Sequence, residues 1–371
     1  MNSELAIIHF GDIGKYPPAF NLVRYFASTG YFNKIVVCSR TNFNEKLSKV
    51  IWCNTINREK SNKLIRLLSY LFFYSKAFWY LTQHRPPIIL YYETLSFPPV
   101  YLYKNLRRWW GKTTSIYCHY HEYTSLAEYK EGMKLNMFSH YLENKSYNSF
   151  TWISHTNNDR IAFFLKDHPM VNPLKLHVLP NYPPRSWKEI AKRRDENAGN
   201  YPLKIVYVGS LDLESMYTKE FVEWVILQKG KVLWDVYLGQ LNLVTQNYFS
   251  NLNCSYINFK GSILYDRLPE VLVNYHVGVI LYKGHIPNYI YNEPNKYFEY
   301  YVCGLDVWYP KEMVGMHKNM QNTCKPFVTA LDFKNIPANL VTNSIRNNSV
   351  NTRTISFEAE IVYEDLIKRI S

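Results

Sequence analysis

The sequence predicts an α/β protein with two doubly wound domains, each built on a parallel β-sheet. Short runs of branched apolar and aromatic residues alternate with stretches of helical spacing, which is the pattern of β–α–β units. This alternation occurs once in residues 1–185 and again in residues 201–355, with a polar stretch between them. A chain of 371 residues is long enough for two such domains, which are expected to face a central cleft.

The first series opens with a buried strand at Leu5–Phe10 and a glycine loop. A helix then runs from Pro17 to Thr29, and a second strand covers Lys34–Ser39. The loop, Gly11-Asp12-Ile13-Gly14-Lys15, is not a P-loop, since its spacing differs and neither Ser nor Thr follows the lysine. A glycine loop at the carboxyl end of the first parallel strand still presents backbone N–H groups to a ligand.

The most apolar segment of the chain is Lys63–Leu81. Arg66 and Lys76 lie inside it and strands flank it, which argues against a membrane-spanning helix. Two interpretations remain open. The segment is either a buried core helix or a helix whose aromatic, basic face lies on a membrane, and the basic charge of this half favours membrane contact.

A strand at Thr114–Cys118 ends in His119-Tyr120-His121-Glu122. A histidine at a strand end can donate to a hydroxyl group or transfer a proton near neutral pH. His119 and His121 share a face, and with Cys118 nearby zinc is conceivable, but no third and fourth ligand appear at a recognised spacing. A histidine satisfied within a turn is the other alternative.

Residues 186–200 are polar and charged and are predicted to be the interdomain linker. The second series begins with a strand at Leu203–Val208 that ends in Gly209-Ser210. A helix and three further strands follow, at Lys219–Gln228, Leu233–Leu238, Ile257–Lys260 and Val277–Tyr282. Residues 356–371 are predicted to form a closing helix, which can cross back to the N-terminal domain.

A short helix is predicted within Asn292–Tyr309, with Pro294 at its first position, Asn292 or Glu293 as cap and Gly304 as its left-handed end. Its first turns carry an amide, a cation and a carboxylate: Asn295, Lys296 and Glu299. A helix N-terminus with a lysine can hold a diphosphate, and a carboxylate can accept hydrogen bonds from two ribose hydroxyls. The pattern therefore suits a sugar nucleotide, although a surface helix with an incidental Lys–Glu pair would show it too.

The segment PNKYFEYYVCGLDVW, residues 294–308, resembles the P-N-K-x-F-E-Y-x-x-x-G-x-P-V segment of bacterial glycosyltransferases of the group-1/family-4 type. These enzymes have the GT-B fold, with two Rossmann-like domains around a cleft. The resemblance implies that Glu299 binds the donor ribose, and Asn295 and Lys296 match directly. Asp306 stands where the family has proline.

Further landmarks of that family appear in the same order along the chain. His121-Glu122 resembles the end of its D-x-H-E turn, with His119 in the Asp position, and implies a catalytic role for His121 and Glu122. The runs at Ser154–Arg160 and Val178–Asn181 resemble the end of its N-terminal domain. By the same resemblance the first glycine loop lies on the acceptor side, with Gly11, Asp12, Gly14 and Lys15.

The donor side departs from the family pattern in two places. Ser210 follows Gly209 where the family has arginine, and Lys219 lies near the position of a phosphate-binding lysine. Tyr291 occupies the position of a second glutamate, with Glu293 two residues on. We assign Gly209, Ser210, Lys219, Asn288 and Glu293 to the donor site beside the three helix residues. The incomplete carboxylate pair leaves the anomeric outcome open.

Charge is distributed unevenly in this chain, whose formal net charge is +13. Residues 1–198 carry 27 Lys or Arg against 14 Asp or Glu, whereas residues 199–371 carry 16 of each. This asymmetry points to an acidic partner such as anionic lipid or a lipid pyrophosphate, and a merely basic soluble surface is the alternative. No nucleic-acid motif is found. Six cysteines without paired spacing and an N-terminus unlike a signal peptide predict a cytoplasmic protein.

The sequence thus predicts a glycosyltransferase that moves a sugar from a UDP- or GDP-type donor to a glycan acceptor, lipid-linked, in surface polysaccharide, capsule or O-antigen synthesis. It would lie peripherally on the inner face of the plasma membrane. Neither cofactor nor metal is expected, because Lys296 and the helix N-terminus can neutralise the departing diphosphate. The alternatives are a GT-B sugar-nucleotide epimerase and a non-catalytic basic protein that binds membrane or nucleic acid.

Overall fold

The computed structural model describes residues 3–41, 45–192, 202–239, 241–341 and 355–370. The chain divides into two compact units. One comprises Met1–Pro180 with Ala359–Ser371, and the other comprises Asn181–Glu358. Within the described ranges, no helix has the length and apolar character that crossing a bilayer requires.

The first unit is built on a sheet of seven parallel strands in the order β3-β2-β1-β4-β5-β6-β7. The strands are β1 (Ser3–His9), β2 (Phe32–Ser39), β3 (Val50–Asn54), β4 (Ile88–Tyr92), β5 (Ser115–Tyr120), β6 (Trp152–His155) and β7 (Leu176–Val178). The strand order reverses between β1 and β4. In such sheets the carboxyl ends of the strands at the reversal form the usual ligand crevice.

Six helices connect these strands: α1 (Pro17–Thr29), α2 (Lys63–His84), α3 (Phe97–Trp109), α4 (Leu126–Glu131), α5 (Lys134–Asn144) and α6 (Asn158–Asp167). Gly30 has φ +73° and ends α1 in the left-handed conformation. Helix α2 is buried along one side only, because Tyr70, Phe73 and Ala77 pack on the sheet while residues on the opposite side are exposed. The core-helix interpretation of this segment is therefore correct for half of its surface.

The second unit begins with helix α7 (Arg185–Ala191), whose Trp187 is buried in that unit's core. The stretch predicted as linker, 186–200, therefore starts as packed helix, and the units divide after Pro180. The start of this charged stretch is packed because the apolar side chain of Trp187 is buried in the core of the second unit. The rest of the predicted linker, residues 193–200, lies outside the described residues.

A six-stranded parallel sheet in the order β10-β9-β8-β11-β12-β13 forms the centre of the second unit. Its strands are β8 (Leu203–Val208), β9 (Val232–Tyr237), β10 (Ile257–Gly261), β11 (Val277–Val279), β12 (Asp306–Pro310) and β13 (Val328–Leu331). Its helices after α7 are α8 (Thr218–Leu227), α9 (Leu243–Ser250), α10 (Leu268–Leu272), α11 (Pro287–Ile290) and α12 (Asn295–Val302). Separate clusters of buried residues line the two faces of this sheet, so the predicted pair of doubly wound parallel-sheet domains is confirmed.

The predicted start of α12 is wrong by one residue. Pro294 occupies the N-cap with φ −70° and ψ 148°, an extended conformation, and the helix begins at Asn295. The fixed φ of proline suits a cap as well as the first turn, so sequence alone does not separate the two positions. Gly304 follows the helix with φ +81°, as predicted.

The closing helix, α13 (Ala359–Ile370), belongs to the first unit. The Tyr363 hydroxyl donates to the carbonyl of Pro18, 2.9 Å away, at the start of α1. The Tyr117 hydroxyl on β5 donates over 2.9 Å to the carbonyl of Arg369. The chain thus returns from the second unit to pack its last helix on the first.

Gly278 in β11 allows α12 to pack closely on the sheet. A Cβ at this position would lie 2.1 Å from the Tyr300 ring, so Gly278→Ala must displace that ring or the strand. We expect the free energy of unfolding to fall by about 3 kcal/mol. Gly239→Ala is the matched control, because no atom lies within 4 Å of its Cβ position. Urea unfolding of both variants tests this, and equal losses would contradict the packing argument.

Candidate active site

Lys296, in the first turn of α12, places a buried ammonium group near the carboxyl end of β8. Its Nζ donates to the Tyr207 hydroxyl over 3.1 Å and lies 3.5 Å from the Tyr282 hydroxyl. It also lies 4.3 Å from the centre of the Tyr207 ring. No carboxylate of the described residues forms an ion pair with it. A buried cation held only by aromatic hydroxyls and ring faces is suited to bind an anion.

Gly209 makes this position of the lysine possible. It directly follows β8 with φ +121°, and a Cβ there would lie 3.2 Å from Lys296 Nζ. A side chain would therefore push the ammonium group away and would strain the backbone. Tyr300 also ties the helix to the strand end, since its hydroxyl accepts a hydrogen bond from Val208 N–H at 3.0 Å. The structure thus brings Gly209 and Lys296, both predicted donor residues, into contact.

Glu299 lies one turn further along α12 and is buried with 7% of its surface exposed. The described residues offer its carboxylate neither a hydrogen bond nor an ion pair. Burial raises its pKa to about 7, although the positive charge of Lys296 lowers the pKa in part. A buried carboxylate without partners is costly, and vicinal hydroxyl groups of a ligand would supply the missing hydrogen bonds.

Not every predicted donor residue joins this pair. Asn288 lies in α11 beside Tyr289, whose ring stacks on Tyr282 at 5.0 Å, so α11 borders the lysine through one aromatic layer. Glu293 contacts other residues, because its carboxylate pairs with Lys318 Nζ and accepts from the Asn319 amide, both at 2.8 Å.

The remaining predicted donor residues are less buried than Lys296 and Glu299. Asn295 is half-buried at the start of α12, directly before the lysine. Ser210 and Lys219 are exposed. Their side chains are therefore free to move toward a ligand but are not placed by packing.

The first unit gathers a second cluster, at the carboxyl ends of β1, β4 and β5. His121 lies between two tyrosine rings, with Tyr16 stacked at 5.1 Å and Tyr92 stacked at 5.2 Å. His9, at the end of β1, lies 6.1 Å from His121 between ring centres. Burial lowers the pKa of His121 well below its usual range and that of His9 to about 4. Both rings are therefore neutral at neutral pH and can share a hydrogen bond.

Glu93 is a member of this cluster that sequence reasoning missed. It directly follows β4 and has φ +60°, a conformation that non-glycine residues rarely adopt and that often marks functional sites. Its Oε1 accepts a hydrogen bond from the backbone N–H of His121 at 2.6 Å. Burial raises its pKa to about 8, so the group is largely protonated at neutral pH. The available signal was an acidic residue directly after the buried run Ile88–Tyr92.

Arg160 positions the turn that carries His121. Its guanidinium donates to the carbonyl of His121 and to Thr156 Oγ1, and the arginine is buried. His119 points its Nδ1 toward Ser154 Oγ at 3.0 Å. In the described part of the chain, no three His, Cys, Asp or Glu residues are grouped as metal ligands would be.

The glycine loop that is predicted to lie on the acceptor side makes its polar contacts within itself, beside His9. The Asp12 carboxylate accepts from Gly14 N–H at 3.2 Å and lies 4.0 Å from Lys15 Nζ. Gly11 approaches His9 so closely that a Cβ would lie 3.0 Å from the imidazole. Glu122, predicted to be catalytic, is exposed at the edge of this cluster. The loop and His121 are thus brought together, whereas the side chain of Glu122 is exposed.

A scan of the sequence against protein-family models finds no match, and a search of curated proteins finds no relative. Solved structures do match over the length of the chain. The structure of Anabaena Alr3699/HepE in complex with UDP-glucose is 12% identical, with 100% of this chain and 99% of that chain covered at a TM-score of 0.64. Sucrose-phosphate synthase from Thermosynechococcus elongatus is also 12% identical, with 100% of this chain and 94% of that chain covered at a TM-score of 0.60.

A third match is the lipopolysaccharide outer core galactosyltransferase WaaB in its apo form. It is 12% identical, with 99% of this chain and 98% of that chain covered at a TM-score of 0.55. At such low identity the likeness concerns the fold. The chain therefore has the GT-B fold that its sequence predicts.

The raised pKa of Glu299 predicts how stability depends on pH. Between about pH 4.5 and 7 the folded carboxyl keeps its proton while the unfolded carboxyl loses it. The folded state then binds more protons, so this residue lowers the free energy of unfolding as pH rises through that range, by at most about 1.4 kcal/mol per pH unit. Glu299→Gln should match the wild type near pH 5 and exceed it in stability at pH 8.

Urea unfolding across that pH range measures the effect. Glu270→Gln is the control, because Glu270 is half exposed and pairs with Arg267 on the surface of the same unit. A difference between Glu299→Gln and the wild type that does not change with pH would show that the carboxyl is not titrating in the folded state.

Proposed function

We propose that this protein is a glycosyltransferase that moves a sugar from a UDP- or GDP-type nucleotide sugar to a glycan acceptor. One observation carries the proposal: a buried ammonium group, Lys296, lies against Gly209 at a strand end, one helical turn from the unpaired carboxylate of Glu299. A nucleoside diphosphate has the complementary chemistry, with phosphates for the cation and vicinal ribose hydroxyls for the carboxylate. The GT-B fold is compatible with this assignment.

The donor residues would act mainly on the leaving group. Transfer breaks the bond between the sugar C1 and the phosphate oxygen and forms a bond from C1 to an acceptor oxygen, while the acceptor hydroxyl loses its proton. Negative charge then develops on the departing nucleoside diphosphate. Lys296 and the backbone N–H groups at the start of α12 would stabilise that charge, so no metal ion is required in this scheme. Asn295 would orient the diphosphate, and Glu299 would hold the ribose.

The first unit would supply the acceptor side. His121, neutral at neutral pH, would contact the sugar or assist proton transfer from the acceptor hydroxyl. Glu93, largely protonated, would hold the His121 turn in place through its backbone hydrogen bond. The loop of Gly11, Asp12, Gly14 and Lys15 would border the acceptor, and Glu122 would act from the exposed edge.

We further propose a lipid-linked acceptor and a role in surface polysaccharide synthesis, such as capsule or O-antigen, on the inner face of the plasma membrane. The excess of basic residues in positions 1–198 supports this, because both the membrane surface and a lipid pyrophosphate are anionic. A sugar-nucleotide epimerase would convert the donor without an acceptor, so product analysis of the donor alone separates the two activities.

A thermal-shift screen against UDP, GDP, CMP and their sugars, with EDTA present, tests the donor class. A ligand at 100 times its Kd stabilises the folded protein by about 2.7 kcal/mol, which raises Tm measurably. We expect a shift with UDP or GDP and none with CMP. A shift that appears only when a divalent cation replaces EDTA would contradict the metal-free scheme.

Substitutions at the two central residues should weaken donor binding. Glu299→Ala and Lys296→Ala each remove a charge-assisted contact, so we expect Kd for the nucleotide to rise about 10- to 100-fold. Isothermal titration calorimetry with the nucleotide found in the screen measures this. Glu270→Ala serves as the surface control and should bind as the wild type does. An unchanged Kd for Glu299→Ala would refute the ribose contact.

A further inference from the structure

Helix α2 exposes an apolar stripe along most of its length. Leu64, Leu68, Leu71, Phe72 and Trp79 recur at helical spacing and keep 53–66% of their surface exposed. The opposite side of the same helix packs on the sheet. A surface helix of a globular protein normally turns polar residues outward, so this outward stripe is unusual.

Two neighbouring helices extend the stripe into a surface. Helices α2, α3 and α5 lie in one layer, with α3 in contact with both of the others, over the same face of the sheet. On α3, Leu102 and Trp109 are 55% and 81% exposed and are seven residues apart, hence on one side. On α5, Met137 and Tyr141 are exposed one turn apart. The outward sides of α2, α3 and α5 together are called the three-helix face below.

Charge on the three-helix face has one sign. The three helices contain seven Lys or Arg and a single carboxylate, that of Glu143. Glu143 is fully buried and accepts hydrogen bonds from the Tyr91 and Tyr120 hydroxyls, so it is absent from the surface. Lys63, Arg108 and Lys134 are exposed. Apolar and aromatic side chains bordered by cations without exposed carboxylates are the composition of interfacial helices on anionic lipid.

A basic cavity of about 560 Å³ lies where α2 and α3 end. Its lining includes Arg85, Arg107, Trp110 and Lys112. Arg107 donates to the backbone carbonyls of Arg85 and Thr113, and the Arg85 guanidinium lies 5.2 Å from the Trp110 ring. In the described part of the chain, no carboxylate forms an ion pair with these three cations. The cavity has the size and charge to take a phosphate headgroup.

We propose that the three-helix face docks on an anionic phospholipid bilayer, with the cavity at the ends of α2 and α3 receiving a lipid phosphate. The helices would lie in the plane of the interface, since the α2 stripe runs from Leu64 to Trp79, a rise of about 22 Å along the helix. The proposed docking rests on the proposed function in one respect, because a lipid-linked acceptor requires the enzyme to work at a bilayer.

The sheet separates this face from the candidate active site. Ala6, Ile8 and Tyr91 point to the side covered by the three helices. His9 and Tyr92, one residue along their strands, point to the other side. Docking through the three-helix face therefore leaves the histidine cluster uncovered, and substitutions on the face should not alter nucleotide binding.

Vesicle flotation with the full chain tests the proposal. The wild type should bind phosphatidylcholine vesicles that contain phosphatidylglycerol, and should bind pure phosphatidylcholine weakly. Leu68→Glu/Phe72→Glu should lower binding at least about tenfold, because it places two carboxylates where acyl chains and anionic headgroups would lie. Met170→Glu/Leu174→Glu is the matched control. It adds the same charge to the same unit at residues that are 83% and 84% exposed outside the three helices, and it should bind as the wild type does.

Arg85→Gln/Lys112→Gln tests the cavity. These substitutions should weaken binding to phosphatidylglycerol vesicles and leave binding to phosphatidylcholine unchanged. Wild-type protein that does not float with anionic vesicles, or a Leu68→Glu/Phe72→Glu variant that floats equally well, would overturn the proposal. So would light scattering that shows a wild-type dimer which the same variant dissociates, since a second copy would then cover the face.

Nucleotide thermal shifts on the same preparations keep this proposal distinct from the proposed function. A variant that loses vesicle binding but keeps its nucleotide shift is folded and supports the docking surface. If vesicles bind and no nucleotide shifts any form, the glycosyltransferase proposal fails while the docking surface stands.

Discussion

Parallel strand pairing determines where the two clusters of candidate residues in this protein lie. Because all strands of a sheet run the same way, their carboxyl ends meet at one edge, and residues distant in sequence become neighbours there. His9 ends β1, and Glu93 and His121 follow β4 and β5 of the first sheet. In the second unit Gly209 follows β8 and meets Lys296 of α12. Each cluster is thus a consequence of topology, and neither requires long loops to assemble.

The electrostatics of both clusters follow from burial. Lys296 lies among tyrosine hydroxyls and ring faces, whereas the Glu299 carboxyl is held without partners among the described residues and burial raises its pKa. In the first unit burial lowers the pKa of the histidines and raises that of Glu93. One unit therefore offers a buried lysine and a buried carboxyl group side by side on α12, and the other offers histidines and a glutamic acid that burial keeps largely neutral. The proposed donor and acceptor sides would need this division.

The sheet of the first unit also separates two kinds of surface. Side chains alternate between its faces, so one face supports the apolar, basic three-helix face while the strand ends carry the histidines. Part of the basic excess of the chain therefore lies on this side of the sheet, because α2, α3 and α5 contain seven Lys or Arg residues. The proposed membrane docking and the proposed acceptor binding therefore use different surfaces of this unit.

Sequence alone determined the fold class, the order of elements and the constellation on α12, since these depend on local periodicity, turn residues and spacing along one helix. The exposure of Glu122, the ion pair that engages Glu293 and the burial of Trp187 were decided by tertiary packing, which spacing does not encode. The strained backbone of Glu93 belongs to the same group. Whether α2 was a core helix or a surface helix was likewise open, because an apolar helix is buried only on the sides that its neighbours cover.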